Sequence, residues 1–218
     1  MPHPKLGYKN KDGKRVPGST TIEGRFEDKS ALIGWGFKQG QRYERGEISG
    51  LYEARDKAGE YGTIAHDLFE EWLSGITPAF NNVPDESIMA FNNAVEWFEG
   101  TRIKIVAQEV QMVSEKYQFG GCLDAVGIDR KGRYTLLDWK TSNKGPFVGW
   151  LCQIASYSYL WDFHNPDKKI TGGFHVGHFS KEYGDFKHYY WSELDDAWEQ
   201  FKLFRRAYDI DKLLKKRV

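Results

Sequence analysis

Apolar residues recur along the chain with two different periods, and the change between them divides it. Between about 54 and 73, Ala65, Leu68, Phe69, Trp72 and Leu73 stand three or four positions apart. That spacing predicts an amphipathic helix, which Gly75 and Pro78 end. Residues 87–99 repeat the pattern with Ile88, Phe91, Val95 and Phe98 on one face. A weaker helix over 31–39 carries Leu32, Ile33, Trp35 and Phe37 but is interrupted by Gly34 and Gly36. The hydroxyls of Ser19, Thr20 and Thr21 are candidates to cap it. From 103 onward β-branched residues gather in short runs bounded by polar and glycine positions, over 103–113, 117–128 and 134–140 (YTLLDWK), which predicts strands. A polar loop over 141–145, an aromatic-rich helix over 148–163, strands over 171–179 and 184–191, and a long helix over 194–214 complete the chain. Residues 1–18 are polar and carry Pro2, Pro4, Pro17, Gly7, Gly13 and Gly18, a composition that reads as a flexible, irregular arm. The remaining 19–218 read as a single domain with no internal repeat. Helices, then three strands, a helix, two strands and a helix predict an α/β (α+β) architecture, a central mixed β-sheet flanked by helices.

Composition narrows the function classes. The 218 residues suffice for one domain with a substantial core, and 16% aromatic content makes that core rich in rings. No run of about 18 apolar residues exists, so no membrane span and no membrane partner is expected. The N-terminus has no apolar stretch of signal-peptide type. Cys122 and Cys152 are too few for a disulfide framework or a four-thiolate cluster, and read as reduced thiols of a cytoplasmic protein. Lysine plus arginine (31) equals aspartate plus glutamate (31). A wholly basic nucleic-acid coat is thereby excluded, but a local basic groove is not.

The chemistry concentrates in GGCLDAVGIDRKGRYTLLDWKTS, residues 120–142. A loop over 130–132 puts Gly132 at the left-handed position of a three-residue hairpin and opposes Asp129 to Arg133. Counting back opposes Asp124 to Asp138. Opposed residues share a face at roughly 5 Å between Cβ atoms, and Lys140, two along from Asp138, shares it too. Leu137 and Trp139 point the other way. Two carboxylates so close repel unless a cation lies between them, and oxygen ligands suit Mg²⁺ or Mn²⁺.

These residues resemble the core of the PD-(D/E)XK nuclease superfamily, in its RecB-like and phage-exonuclease branch. The branch carries G-x-x-D, D/E-x-K and Q-x-x-x-Y motifs, here Gly121-Cys122-Leu123-Asp124, Asp138-Trp139-Lys140 and Gln153-Ile154-Ala155-Ser156-Tyr157. An upstream G-x-x-x-H occurs as Gly62-Thr63-Ile64-Ala65-His66, and VPGSTTI resembles the start of many phage-type members. The resemblance implies a restriction-endonuclease-like core with Asp124 and Asp138 as metal ligands, joined by the Trp139 main-chain carbonyl. It implies Lys140 as the catalytic lysine, His66 as a ligand or a group beside the metal, and Glu109 as part of a second metal site. Gln153 and Tyr157, on one helical face, would meet the DNA end. Some relatives hold an iron–sulfur cluster through four cysteines; two cysteines predict no such cluster.

The function these features imply is a Mg²⁺- or Mn²⁺-dependent DNA nuclease with one or two ions, an exonuclease before an endonuclease. Its setting would be phage or bacterial DNA recombination, repair or degradation, in the cytoplasm of the bacterium or the infected host. Alternatives are a structure-specific or restriction-type endonuclease and a DNA-binding module that no longer cuts. The resemblance leaves room for a homo-oligomer and for a recombination partner protein. Other polar groups read as structural: His175 and His178, three apart on a strand, face opposite sides, and Arg205-Arg206 and Lys215-Lys216-Arg217 read as a solvated helix face. Lys144 is a candidate phosphate contact, and Glu70 a candidate to orient His66.

Overall fold

A computed structural model describes residues 7–142 and 144–218. It confirms the mixed α/β class: a five-stranded mixed sheet with helices on both faces. The chain opens with a small hairpin, β1 (Tyr8–Lys9) and β2 (Arg15–Val16), followed by α1 (Ser19–Glu23), α2 (Ser30–Glu44), α3 (Glu53–Leu73) and α4 (Asp85–Thr101). The sheet strands β3 (Lys104–Ser114), β4 (Phe119–Ile128) and β5 (Tyr134–Lys140) come next. Helix α5 (Val148–His164) crosses to β6 (Ile170–Phe179), and β7 (Phe186–Trp191) and α6 (Asp195–Leu214) finish the fold. Strand order is β3-β4-β5-β6-β7; only β5 and β6 are parallel, as their helical crossover requires.

Strand alternation sorts the core into two layers. Phe119, Val126, Leu136 and Val176 face α1, α5 and α6, where Ile22, Leu160 and Phe201 meet them. Ala125, Leu137, Trp139 and Phe179 face α3 and α4, against Phe69, Ala94 and Trp97. Strand β5 is therefore buried on both sides, which explains its nearly unbroken apolar run. Burial of each large ring contributes about 1.5–3 kcal/mol.

Two expectations are corrected. Residues 7–18 are not an irregular arm: Tyr8 pairs with Val16 and Lys9 with Arg15 around a turn in which Asn10 Oδ1 accepts the Asp12 and Lys14 amides and Gly13 takes φ 72°. The Asp12-Gly13 pair is a hairpin signal outweighed in the sequence by the surrounding prolines. Buried Tyr8 lies on Gly120, where a Cβ would collide with its ring, so the hairpin is seated on β4. Residues 1–6 of the expected arm lie outside the described residues. Second, Ser19, Thr20 and Thr21 do not cap the helix at 31–39. They form α1 itself, after Gly18, and Ser19 is buried with its hydroxyl on Gly120 O at 3.3 Å and 2.9 Å from Ser156 Oγ.

Candidate active site

The β4–β5 hairpin has the register that its turn implies. Asp129 N donates to Arg133 O, Gly132 has φ 76°, and the ladder runs from Ile128↔Tyr134 to Ala125↔Leu137. One step further the regular ladder stops, and Asp124 Oδ2 instead accepts the Trp139 amide at 3.0 Å. Asp138 is fully buried, and its Oδ2 lies 2.6 Å from Lys140 Nζ. The other oxygen, Oδ1, has no hydrogen-bond partner. Burial and the neighbouring Asp138 charge push the Asp124 carboxyl up to about 7. Lys140 stays charged: burial opposes this, but Asp138 and Asp124 outweigh it and raise its pKa.

Glu109 approaches Asp124 from β3 through a break in strand regularity. Ala107 and Val110 both pack against the α5-side core, as do Leu123 and Val126. Residues three apart on a regular strand face opposite sides, so the alternation slips on both strands at the rung of Glu109 and Asp124. Glu109 there takes φ 48°, a left-handed conformation that costs a non-glycine residue about 1 kcal/mol or more. Its Oε2 accepts the Cys122 thiol at 3.3 Å. Burial, then the charges of Asp124 and Glu70, push its carboxyl up to about 8.

Helix α3 brings His66 onto Trp139. Trp139 Nε1 donates to His66 Nδ1 at 2.8 Å, and His66 Nε2 faces the Trp139 carbonyl at 3.2 Å. An indole N–H can only donate, so Nδ1 offers a lone pair and the proton sits on Nε2, directed at the carbonyl. This hydrogen-bond pattern is that of the neutral ring; burial disfavours the charged form, but Glu70 and Asp124 outweigh it and raise the pKa of the ring. Glu70, expected to orient His66, stands 3.7 Å from Nδ1, beyond hydrogen-bonding reach, and its Oε1 has no partner. Orientation comes from Trp139 instead, whose ring also packs edge-on against Phe69 at 5.0 Å.

Helix α5 supplies the opposite wall. Gln153 Nε2 donates to Tyr157 Oη at 2.8 Å, and both side chains line a cleft of about 470 Å³. His66, Glu109, Asp124, Trp139 and Lys140 line the same cleft, with Asp138 buried behind Lys140. Arg55 and Lys181 add positive charge to its lining. Two glycines permit the close packing: a Cβ on Gly121 would strike the Tyr157 ring, and one on Gly62 would strike Thr141 Oγ1. Glu23 at the end of α1 is a site residue that the motif pattern does not single out. It is buried, its Oε1 has no partner, and burial pushes its carboxyl up to about 9 against the pull of Lys140. Its only signal in the sequence is its place directly after VPGSTTI.

Other candidates stand elsewhere. His175 is paired not with His178 but with His188 of β7, Nδ1 to Nε2 at 2.9 Å, while His178 Nε2 contacts Ser142 O. Arg205 is not on a solvated face; it is buried and donates to the carbonyls of Tyr117 and Gln118 in the β3–β4 turn. Lys144 is exposed and outside the cleft lining.

Among the described residues no three His, Cys, Asp or Glu side chains converge as a ready-made metal cage. The donor set nonetheless fits a hard divalent ion. Mg²⁺ is usually held by one or two carboxylates, water and substrate phosphate, and Asp138 offers one buried oxygen, Oδ1, without a hydrogen bond, close enough to Asp124 for its charge to be felt there.

No protein-family model matches the chain, and no curated protein does. Among solved structures it is similar to the protein SSO0001, with 18% identity and a TM-score of 0.38, over 56% of this chain and 57% of that one. It is also similar to a protein from Eubacterium rectale provisionally named an exonuclease, with 12% identity and a TM-score of 0.39, over 66% of this chain and 64% of that one. The chain thus spans between about half and two thirds of each neighbour's length. The functional reading rests on the site itself.

Proposed function

We propose that this protein is a Mg²⁺- or Mn²⁺-dependent nuclease that hydrolyses DNA phosphodiester bonds, and that it acts as an exonuclease. The observation that carries this reading is the meeting of Asp124 and Lys140 in the lining of one cleft, with Asp138 buried directly behind Lys140. Asp138 is wholly buried, its Oδ2 is ion-paired with Lys140 Nζ at 2.6 Å, and its Oδ1 has no hydrogen-bond partner. A stable core has no need of such a group, because burying a charge without full compensation is costly.

Asp124, Asp138 and the Trp139 carbonyl would hold the ion, with Glu109 beside them. When bound, it would polarise a phosphoryl oxygen and lower the pKa of a coordinated water. Lys140, positively charged, would stabilise the negative charge that develops on the phosphoryl oxygens as water attacks. His66 would keep Trp139 in place, its Nε2 on the main-chain carbonyl and its Nδ1 on the indole N–H. Gln153 and Tyr157 would bind the phosphate or the base next to the scissile bond, since an amide and a phenol can each donate to phosphate, and a ring can stack on a base. The choice of exonuclease rests on the branch whose motifs the sequence resembles.

Digestion of end-labelled linear DNA and closed circular DNA, each with Mg²⁺, Mn²⁺ or EDTA, tests the proposal. The expected result is release of mononucleotides from linear DNA alone, abolished by EDTA. Nicking of circles would replace the exonuclease by an endonuclease, and DNA binding with no cleavage under either metal would overturn catalysis. Asp138→Asn and Lys140→Ala should each lower the rate by about 10²-fold or more while circular dichroism stays unchanged; unaltered rates in both would remove the site assignment.

A further inference from the structure

Away from the candidate active site, two imidazoles meet across the outer hairpin of the sheet. His188 lies opposite Gly177 in the β6–β7 ladder and His175 opposite Tyr190, so the two histidines are diagonal neighbours on one face. Their nitrogens, His175 Nδ1 and His188 Nε2, stand 2.9 Å apart. Aromatic rings hold each in place: His188 packs edge-on against Trp97 at 5.7 Å, and His175 lies 4.9 Å from Tyr190.

We propose that His175 and His188 form a two-nitrogen chelate for a borderline divalent transition metal such as Zn²⁺, Ni²⁺ or Cu²⁺, at a site separate from the nuclease centre. Two imidazole nitrogens each about 2.1 Å from one ion stand about 3 Å apart at the angle of about 90° of a square-planar or octahedral shell, close to the 2.9 Å found here, and about 3.4 Å apart in a tetrahedral zinc shell, which would need the rings to part by about 0.5 Å. Without metal the observed distance is spanned by an N–H···N bond, in which one ring donates. On metal binding the donating ring shifts its proton to its other nitrogen, a change of tautomer, so that both facing nitrogens offer lone pairs. Burial lowers the pKa of both histidines, His175 to about 4, so both are neutral near pH 7, the form that ligates.

Ligand type selects the metal. Imidazole suits zinc, nickel and copper, whereas magnesium demands oxygen. Among the described residues no third His, Cys, Asp or Glu completes a protein cage. The remaining positions would open onto a cavity of about 590 Å³ lined also by Arg130, Lys131, Arg133 and by Asp129, whose carboxylate is paired with Arg133, so water or an anion would complete the shell. The chelate would tie the edge strand β7 to β6, giving the metal a structural effect independent of catalysis.

Isothermal titration of the full chain with NiCl₂ and with ZnCl₂, in 1 mM Mg²⁺ (a working level, about that of metal-enzyme assays), tests this. Binding of one equivalent is expected, with at least about tenfold weaker affinity in His175→Ala and in His188→Ala. His164→Ala should bind as the parent does. Asp138→Asn should also retain binding, which separates this site from the proposed nuclease centre whether or not that centre proves active. The thermal midpoint should rise with Zn²⁺ in the parent and not in the two variants. His188→Gln replaces His188→Ala if circular dichroism shows the latter misfolded. Absence of binding by the parent, or undiminished binding by both histidine variants, would overturn the proposal.

Discussion

A methyl group on Gly121 would lie 2.7 Å from Tyr157 Cε1 and 3.0 Å from Leu160 Cδ1, so the glycine of the G-x-x-D run serves the α5 wall rather than a turn. Gly121→Ala should therefore destabilise by about 1–3 kcal/mol and displace Tyr157; urea unfolding measures the first effect and the rate on DNA the second. Glu23 gives the site a pH signature. Its carboxyl titrates near 9 in the fold against an ordinary value of 4.5. A folded-state pKa above the unfolded value gives a contribution that is full below about pH 4.5 and is lost as the pH rises through about 9. In EDTA, the urea midpoint of the parent should fall between pH 5 and pH 9, and Glu23→Gln should fall less over the same range. Equal slopes would show that Glu23 is ionised in the fold.

Among elements, the β3–β4 hairpin depends on α6. Arg205 donates to the carbonyls of Tyr117 and Gln118, where Gln118 is held at φ 52°, and also pairs with Asp209 at 2.6 Å. Arg205→Ala leaves two carbonyls of a half-buried turn without that charged donor and should cost about 1.5–3 kcal/mol in chemical denaturation. Arg206→Ala, on the exposed side of the same helix, should cost under about 0.5 kcal/mol. The slip in alternation at Glu109 and Asp124 also belongs to this scale. A regular pair of strands would leave Leu123 and Val126 on opposite faces; the irregularity places both in one core and brings two acidic residues to the cleft.

For the whole molecule, stability is concentrated in the sheet centre. β5 is buried on both faces, between the α5/α6 layer and the α3/α4 layer. Among its described residues, helix α2 contributes none to either core, and it exposes Leu32, Ile33 and Phe37. Few buried apolar contacts mean low local opening energy. In hydrogen exchange followed by mass spectrometry, α2 amides should exchange at least about 10²-fold faster than β5 amides; comparable protection would mean that α2 is held by contacts beyond those of this chain's core.

The sequence by itself determined the order and type of nearly all the elements, the register of the β4–β5 hairpin, and hence the meeting of Asp124, Asp138 and Lys140. Those features are local: a turn glycine sets the register, the two-residue period sets the face, and the three-to-four period sets each helix. Only the tertiary structure decided the groups that arrive from far along the chain. His66 takes both its nitrogens to Trp139, 73 residues away; Glu23 enters beside Lys140 because α1 packs on α5; and His175 finds His188 on the neighbouring strand. Such pairings depend on how helices settle on the sheet and which strands become neighbours. Periodicity carries no record of either, because it fixes the face a residue occupies and not the partner that covers it.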